Sequence, residues 1–254
     1  MPGKYDDLKE LIAQSCRTLG EMEITKAALG HVSLRLEEPD RMLIKGKGPA
    51  ENGLRFTEPN DIIVVDFQAN KVEGPEDLQP PSESFIHIWQ FKTRPDVQSV
   101  IHMHPENVIQ LTIGEKPILP IVGNRTRLPM MGVPVYPRSI TITTDKLGQD
   151  LARVMGDKPV CLMRGHGVTV VGDSVERATL ETIDLNELCT MMYKAYVLDG
   201  PRPVLQEDIE ERRDSRVAGA ENRPRGNAGG RVGMMSRWRY FTQLAAEKAA
   251  GGRS

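Results

Sequence analysis

Leu8, Leu11, Ile12, Cys16 and Leu19 recur at three- and four-residue intervals, so residues 5–20 are expected to form an amphipathic helix that buries this stripe. Beyond it the period shortens. A strand is expected after the turn at Gly30, and Met42-Leu43-Ile44 and Asp61-Ile62-Ile63-Val64-Val65 read as further short strands, with the loop Gly46-Lys47-Gly48-Pro49 between them. Pro80-Pro81-Ser82-Glu83 precedes a helical pattern through Phe85, Ile86 and Trp89. Ser82 is the expected N-cap there, and Glu83 falls in the first turn, where the helix dipole favours a carboxylate. The apolar run Ser99-Val100-Ile101-His102-Met103-His104 reads as a strand, and two more runs, Pro159-Val160-Cys161-Leu162-Met163 and Val168-Thr169-Val170-Val171, flank Gly165-His166-Gly167. Thr144 opens a helix through Leu147, Leu151 and Val154 that stops near Gly156, and Asp173-Ser174-Val175-Glu176 reads as a capping box opening a long helix to about Val197. Alternating strands and helices argue for a sheet covered by helices on both faces, with the strand directions left open.

From residue 200 to 233 the pattern fades into polar, proline- and glycine-rich sequence that includes Pro201, Pro203, Pro224 and Gly226. Such a stretch buries little surface, and a mobile connection is expected. It leads into Met234-Met235-Ser236-Arg237-Trp238-Arg239-Tyr240-Phe241, an aromatic and basic cluster that would either close over a pocket as a lid or dock on the body or on a neighbouring subunit. The expected division is therefore a catalytic domain over residues 1–200 and a linker with a terminal tail or helix over 201–254.

Composition narrows the partners. The chain of 254 residues, 39% hydrophobic, suffices for one large domain with a substantial core. A net charge of -2 gives no electrostatic reason to expect nucleic acid or an anionic membrane. No run approaches the roughly 18 apolar residues needed to span a bilayer, and Met1-Pro2-Gly3-Lys4-Tyr5 lacks a secretory pattern. Cys16, Cys161 and Cys189 are isolated in apolar contexts, as expected of reduced core residues in a cytoplasmic protein.

Four of the five histidines sit in three cassettes, Gly30-His31-Val32-Ser33, His102-Met103-His104 and Gly165-His166-Gly167. On a strand, alternate side chains share a face, so His102 and His104 point into one site as a metal clamp. The glycines beside His166 remove Cβ atoms that would keep a ligand from its imidazole. Three neutral imidazoles suit Zn, Mn, Fe or Co and leave coordination positions free for substrate, which points to catalysis.

Together with Pro81-Ser82-Glu83 and Arg164, these cassettes resemble the class II aldolase and adducin-head family over roughly residues 6–200. The resemblance implies a three-layer α/β/α sandwich around a large, mixed, mostly antiparallel sheet, in a cyclic homotetramer with active sites at subunit interfaces. It implies one divalent metal ion per chain on His102, His104 and His166, with Glu83 both ligating the resting metal and acting as acid or base. Sugar-phosphate aldolases of the family cradle phosphate with amide and hydroxyl donors; here those places hold His31, Lys45-Gly46-Lys47-Gly48 and Pro81-Ser82. The Gly-His-Val-Ser cassette, Arg164 and the Trp-Arg-Tyr-Phe tail resemble instead the aromatic decarboxylases of the family.

The expected function is a metal-dependent carbon–carbon lyase that decarboxylates a hydroxylated aromatic acid without oxidation. Its alternatives are an aldolase or epimerase on a sugar phosphate or hydroxy-keto acid, a non-haem iron oxygenase on a phenol, and a non-catalytic adducin-like binding head. Candidate catalytic groups are Glu83, His31 and Tyr240, and candidate substrate contacts are Ser33, Lys47, Ser82, Arg164 and Trp238. Lys47 would grip a second carboxylate or be a solvated loop charge; Arg164 would do the same or pair with an acid at a subunit contact. His31 would grip that group or bridge strand ends, and Trp238 and Tyr240 would stack on a planar substrate or pack. His87, four residues after Glu83, shares its helical face and is read as packing or support.

Overall fold

Apolar residues at helical spacing build α1 (Asp6–Glu21), and alternation then builds β1 (His31–Arg35), β2 (Arg41–Lys45), β3 (Ile62–Asp66) and β4 (Lys71–Glu73). The chain continues through α2 (Ser84–Thr93), β5 (Ser99–Met103), α3 (Glu106–Ile113), α4 (Arg127–Met131), β6 (Val135–Tyr136) and α5 (Asp145–Met155). It ends with β7 (Val160–Met163), β8 (Gly167–Gly172), α6 (Val175–Leu198), α7 (Gln206–Glu221) and α8 (Ala228–Gly251). This computed structural model describes residues 3–125, 127–221 and 228–251.

The strands form one eight-stranded sheet in the order β4-β3-β2-β1-β5-β8-β7-β6. Every pairing is antiparallel except β6 with β7, so the sheet is mixed and mostly antiparallel, as the family resemblance implied. Strand alternation sends Val32, Leu43, Val64, Ile101, Met103 and Val170 to one face, where they pack with Ile12 and Leu19 of α1, Val108 of α3 and Ile183 of α6. Met42, Ile44, Ile63, Val100 and Val171 face the other way, against Ile86 and Phe91 of α2 and Leu151 of α5. Two helical layers thus enclose the sheet.

Several local expectations shift. Ser82 does not cap α2: the helix starts at Ser84 with Glu83 at the N-cap position, and the Glu83 side chain makes no cap bond. Its carboxylate is drawn elsewhere, as shown below. The long helix α6 is capped by Ser174, the second residue of the expected box, whose hydroxyl accepts from the Arg177 N–H at 3.2 Å. At α5, Thr144 caps as expected, accepting from Leu147 N–H. The short elements β4, α3, α4 and β6 carried no sequence expectation. In the stretch expected to be an irregular connection, residues 206–221 are helical, while Pro224 and Gly226 lie outside the described residues, as do Met1 and Pro2.

Helix α8 lies against α1 and α6. Among the described residues no helix is long and apolar enough to cross a membrane. All three cysteines are buried and unpaired.

Candidate metal centre

Strands β1 and β5 are antiparallel neighbours with His31 opposite His102. Because Val32, Ile101 and Met103 take the α1 face, His31, Ser33 and His102 turn toward α2. Gly30, at φ +85°, makes the entry turn, and a Cβ there would press on the Met103 sulfur and the His102 carbonyl. His104 follows the end of β5, and His166 sits in the tight turn between β7 and β8. A Cβ at Gly167 would collide with the Met103 carbonyl and crowd the His104 ring, so this glycine admits a close backbone approach at the edge of the cluster.

One ligand atom from each of Glu83, His102, His104 and His166 lies within 4.8 Å of every other, and these four groups could hold a metal ion. Glu83 Oε2 is 3.5 Å from His102 Nε2 and Glu83 Oε1 is 3.5 Å from His166 Nε2. The two imidazoles are aimed by backbone carbonyls. His102 Nδ1 donates to Val168 O and His166 Nδ1 to Ile140 O, each at 3.0 Å. A carbonyl only accepts, so both Nδ1 atoms carry the proton and both Nε2 atoms turn lone pairs into the cluster. His104 Nε2 comes within 3.1 Å of His102 Nε2, an approach that needs a proton or a cation between the two nitrogens. The site therefore presents three nitrogens and a carboxylate to one point, a donor set that fits a divalent ion of the Zn, Mn, Fe or Co type.

Charge states agree with that fit. Burial opposes ionisation of Glu83, but the His102 and His166 imidazoles and the Ile142 N–H, 2.8 Å from Oε1, outweigh it and hold the carboxyl below the usual carboxylate range. Burial and then the neighbouring His102 and His166 push His104 down to about 3, so it is neutral and ligand-ready at neutral pH. Its Nδ1 is buried without a protein partner.

Beside this cluster lies a second set of polar side chains. His31, with its ring centroid 5.2 Å from that of His102, is 3% exposed, and its Nδ1 is 2.6 Å from His87 Nε2. His87 Nδ1 is in turn 2.6 Å from Ser33 Oγ. Ser33 and His87 are both fully buried, so Ser33 is placed behind His31 rather than on an open substrate surface. The spacing of His87 from Glu83 was visible in the sequence, but its bond to His31 depends on how α2 crosses β1, and no local pattern carries that.

The remaining candidates separate. Lys47 Nζ bonds the Ala28 carbonyl and lies 2.9 Å from Glu51 Oε1; its charge acts on both His31 and His104. Burial lowers the Lys47 pKa. Glu51 also pairs with Lys45, which is fully buried. Arg164 is about half exposed and pairs with Glu115 at 2.6 Å in the same chain. Trp238 is 6% exposed and belongs to the core beneath α8, so it packs here rather than presenting a stacking face. Tyr240 is 62% exposed and touches Phe241 edge-on. Among the described residues, neither aromatic side chain makes a hydrogen bond or ring contact with the four clustered groups.

Residues 10–193 match the class II aldolase and adducin N-terminal domain family. A 3,4-dihydroxyphthalate decarboxylase of Arthrobacter keyseri is 38% identical over 196 residues, which cover 74% of this chain and 78% of that protein. A second protein of that name, from a Terrabacter species, is 36% identical over 217 residues, covering 82% of this chain and 90% of its own. Among solved structures, an aldolase II superfamily protein from Pseudomonas syringae superposes with a TM-score of 0.80 at 20% identity, covering 98% of this chain and 95% of its own, a likeness of fold.

Proposed function

Because the chain belongs to the class II aldolase and adducin N-terminal domain family, we propose that it is a metal-dependent carbon–carbon lyase that removes carbon dioxide from a hydroxylated aromatic acid without oxidation. His102, His104, His166 and Glu83 hold one divalent ion per chain, Zn, Mn, Fe or Co. The observation that carries the reading is the convergence of these four groups, with carbonyls steering the Nε2 lone pairs of His102 and His166 inward. Its substrate class is supported by the two decarboxylases at 38% and 36% identity.

The reaction replaces a carboxylate on the ring with a proton. Its difficulty is the electron pair left on carbon as carbon dioxide departs. An ion held by these four groups would act there as a Lewis acid, making negative charge on a ring oxygen less costly. Glu83, ionised within the cluster, would accept and return a proton at Oε2, the oxygen that does not receive the Ile142 N–H. His31 lines the same corner. Lys47, anchored by Ala28 O and Glu51, would grip a second carboxylate of the substrate, and the exposed Ser82 just before Glu83 would be a further contact.

Residues 1–200 form the catalytic unit in this reading, and 201–254 a tail that makes a subunit contact. The enzyme is cytoplasmic and a cyclic homotetramer with sites at subunit interfaces, supported by the exposed apolar residues Met191, Tyr193, Val197 and Leu198 near the end of α6. In such an assembly the exposed Arg164 and Tyr240 would serve a neighbouring subunit's site, with the buried Trp238 anchoring α8.

The test is an anaerobic assay of the purified, metal-analysed protein with 3,4-dihydroxyphthalate and dihydroxybenzoates. Carbon dioxide release with about one ion per chain is expected. Aldehyde formation instead would establish an aldolase, a strict need for oxygen would establish an oxygenase, and a metal content far below one would establish a binding head. Light scattering should give the mass of four chains.

A further inference from the structure

We infer that His87 is a positioning residue, which fixes His31 in the tautomer whose Nε2 lone pair accepts a hydrogen bond from a hydroxyl of the substrate ring. The inference rests on the lyase reading above and adds to it a residue that touches neither the ligand cluster nor the ring.

Ser33, His87 and His31 form a hydrogen-bonded chain of three buried side chains. Ser33 Oγ lies 3.4 Å from the Val100 carbonyl, and the same carbonyl faces His87. A carbonyl can only accept. With the serine hydroxyl proton directed to Val100 O, Ser33 Oγ, 2.6 Å from His87 Nδ1, accepts from that nitrogen. His87 is thus protonated at Nδ1 and offers a lone pair at Nε2. Across the 2.6 Å contact, His31 Nδ1 must be the donor. That leaves His31 Nε2 unprotonated.

Burial keeps the His87 ring neutral at neutral pH, lowering its pKa to about 3. Two rings sharing one proton are slaved to each other: His31 cannot reverse its tautomer unless His87 does, and Val100 O opposes that. The free nitrogen is also reachable. Among the described residues His31 Nε2 has no protein partner, yet it is not one of the sealed, unpartnered atoms, as His104 Nδ1 is. With its ring beside that of His102 and 3% of its surface exposed, His31 presents a fixed acceptor at the mouth of the cluster. A ring hydroxyl is a donor that matches it; an ether or an unsubstituted ring position is not.

The test combines a spectroscopic and a kinetic readout on the zinc-loaded protein. Imidazole 15N spectra should show His31 Nε2 unprotonated and Nδ1 protonated, a result that does not depend on activity. His87→Leu should keep about one zinc per chain while kcat/KM falls by about 10- to 100-fold. His87→Gln, which keeps an acceptor opposite His31 Nδ1, should restore most of the loss. A protonated His31 Nε2 in the wild-type protein would overturn the inference. So would a His87→Leu variant with unchanged kcat/KM, or one that loses its zinc, since His87 would then support the ligands rather than His31. If no hydroxylated aromatic acid is decarboxylated at all, the lyase reading fails on its own assay, and the 15N spectrum still decides the tautomer.

Discussion

On one face of β1 and β5, Val32, Ile101 and Met103 are sealed among the apolar side chains of α1, α3 and α6; on the other, His31, Ser33 and His102 meet His87 of α2 and Glu83 at its N-cap. The same two strands, in the same register, supply both. On the apolar face each side chain contributes by excluding water, roughly 25 cal/mol per Å² buried, and direction matters little beyond shape. On the polar face burial alone is a cost, because a polar group left unpaired there loses about 1–3 kcal/mol. His102, His166, His31 and His87 accordingly have their Nδ1 atoms tied to a carbonyl or a neighbour, and it is this fixing of direction that turns buried polar groups into a site.

If the contrast is right, truncation on the polar face should remove function and spare the fold. His102→Ala should abolish metal binding and lower activity by at least about a thousand-fold, while the chain stays folded. Metal analysis, turnover and circular dichroism on one preparation check this. Retained metal with retained activity would sink the assignment of His102.

Truncation of its sequence neighbour should do the reverse. Ile101 is fully buried on the α1 face, and Ile101→Ala should cost about 2–5 kcal/mol of stability through lost burial and the cavity left behind. Metal content and turnover per folded molecule should be unchanged. Urea titration alongside metal analysis separates the two effects, and a loss of metal in this variant would mean that the two faces are coupled.

How much of this contrast the sequence announced can be traced residue by residue. Alternation along Ser99–Met103 was enough to place His102 toward the site and Ile101 away from it, because a strand's period of two is a local property. The glycines around His166 marked a tight turn for the same reason. What no local pattern held was the crossing of α2 over the sheet, which is set by packing among Ile86, Phe91 and their partners and which brings His87 to His31. The cap at α2 was missed for a related cause: Glu83 stands at the cap position, but its carboxylate is taken by the Ile142 N–H and the imidazoles. Residues 206–221, read as an irregular connection from their proline- and glycine-rich surroundings, are helical and carry the Gln206–Glu210 side-chain bond one turn apart.

Acid should distinguish the faces too, by a smaller amount. In the unfolded chain the His87 imidazole takes up a proton as pH falls through about 6.5, whereas in the folded chain burial holds it neutral down to about 3. Across that window the unfolded state binds more protons, so folding stability falls as pH falls, by about 1.4 kcal/mol per pH unit for this one group. Above pH 6.5 both states are neutral and the contribution is flat. His87→Gln removes the titrating group but keeps a polar side chain, so its stability between pH 7 and 5, measured by urea unfolding of the metal-free protein, should decline less steeply than that of the wild-type chain. Equal slopes would mean that the folded protein protonates His87 as readily as water does. The polar face would then not be a sealed arrangement of fixed donors and acceptors, and its difference from the apolar face would be one of composition alone.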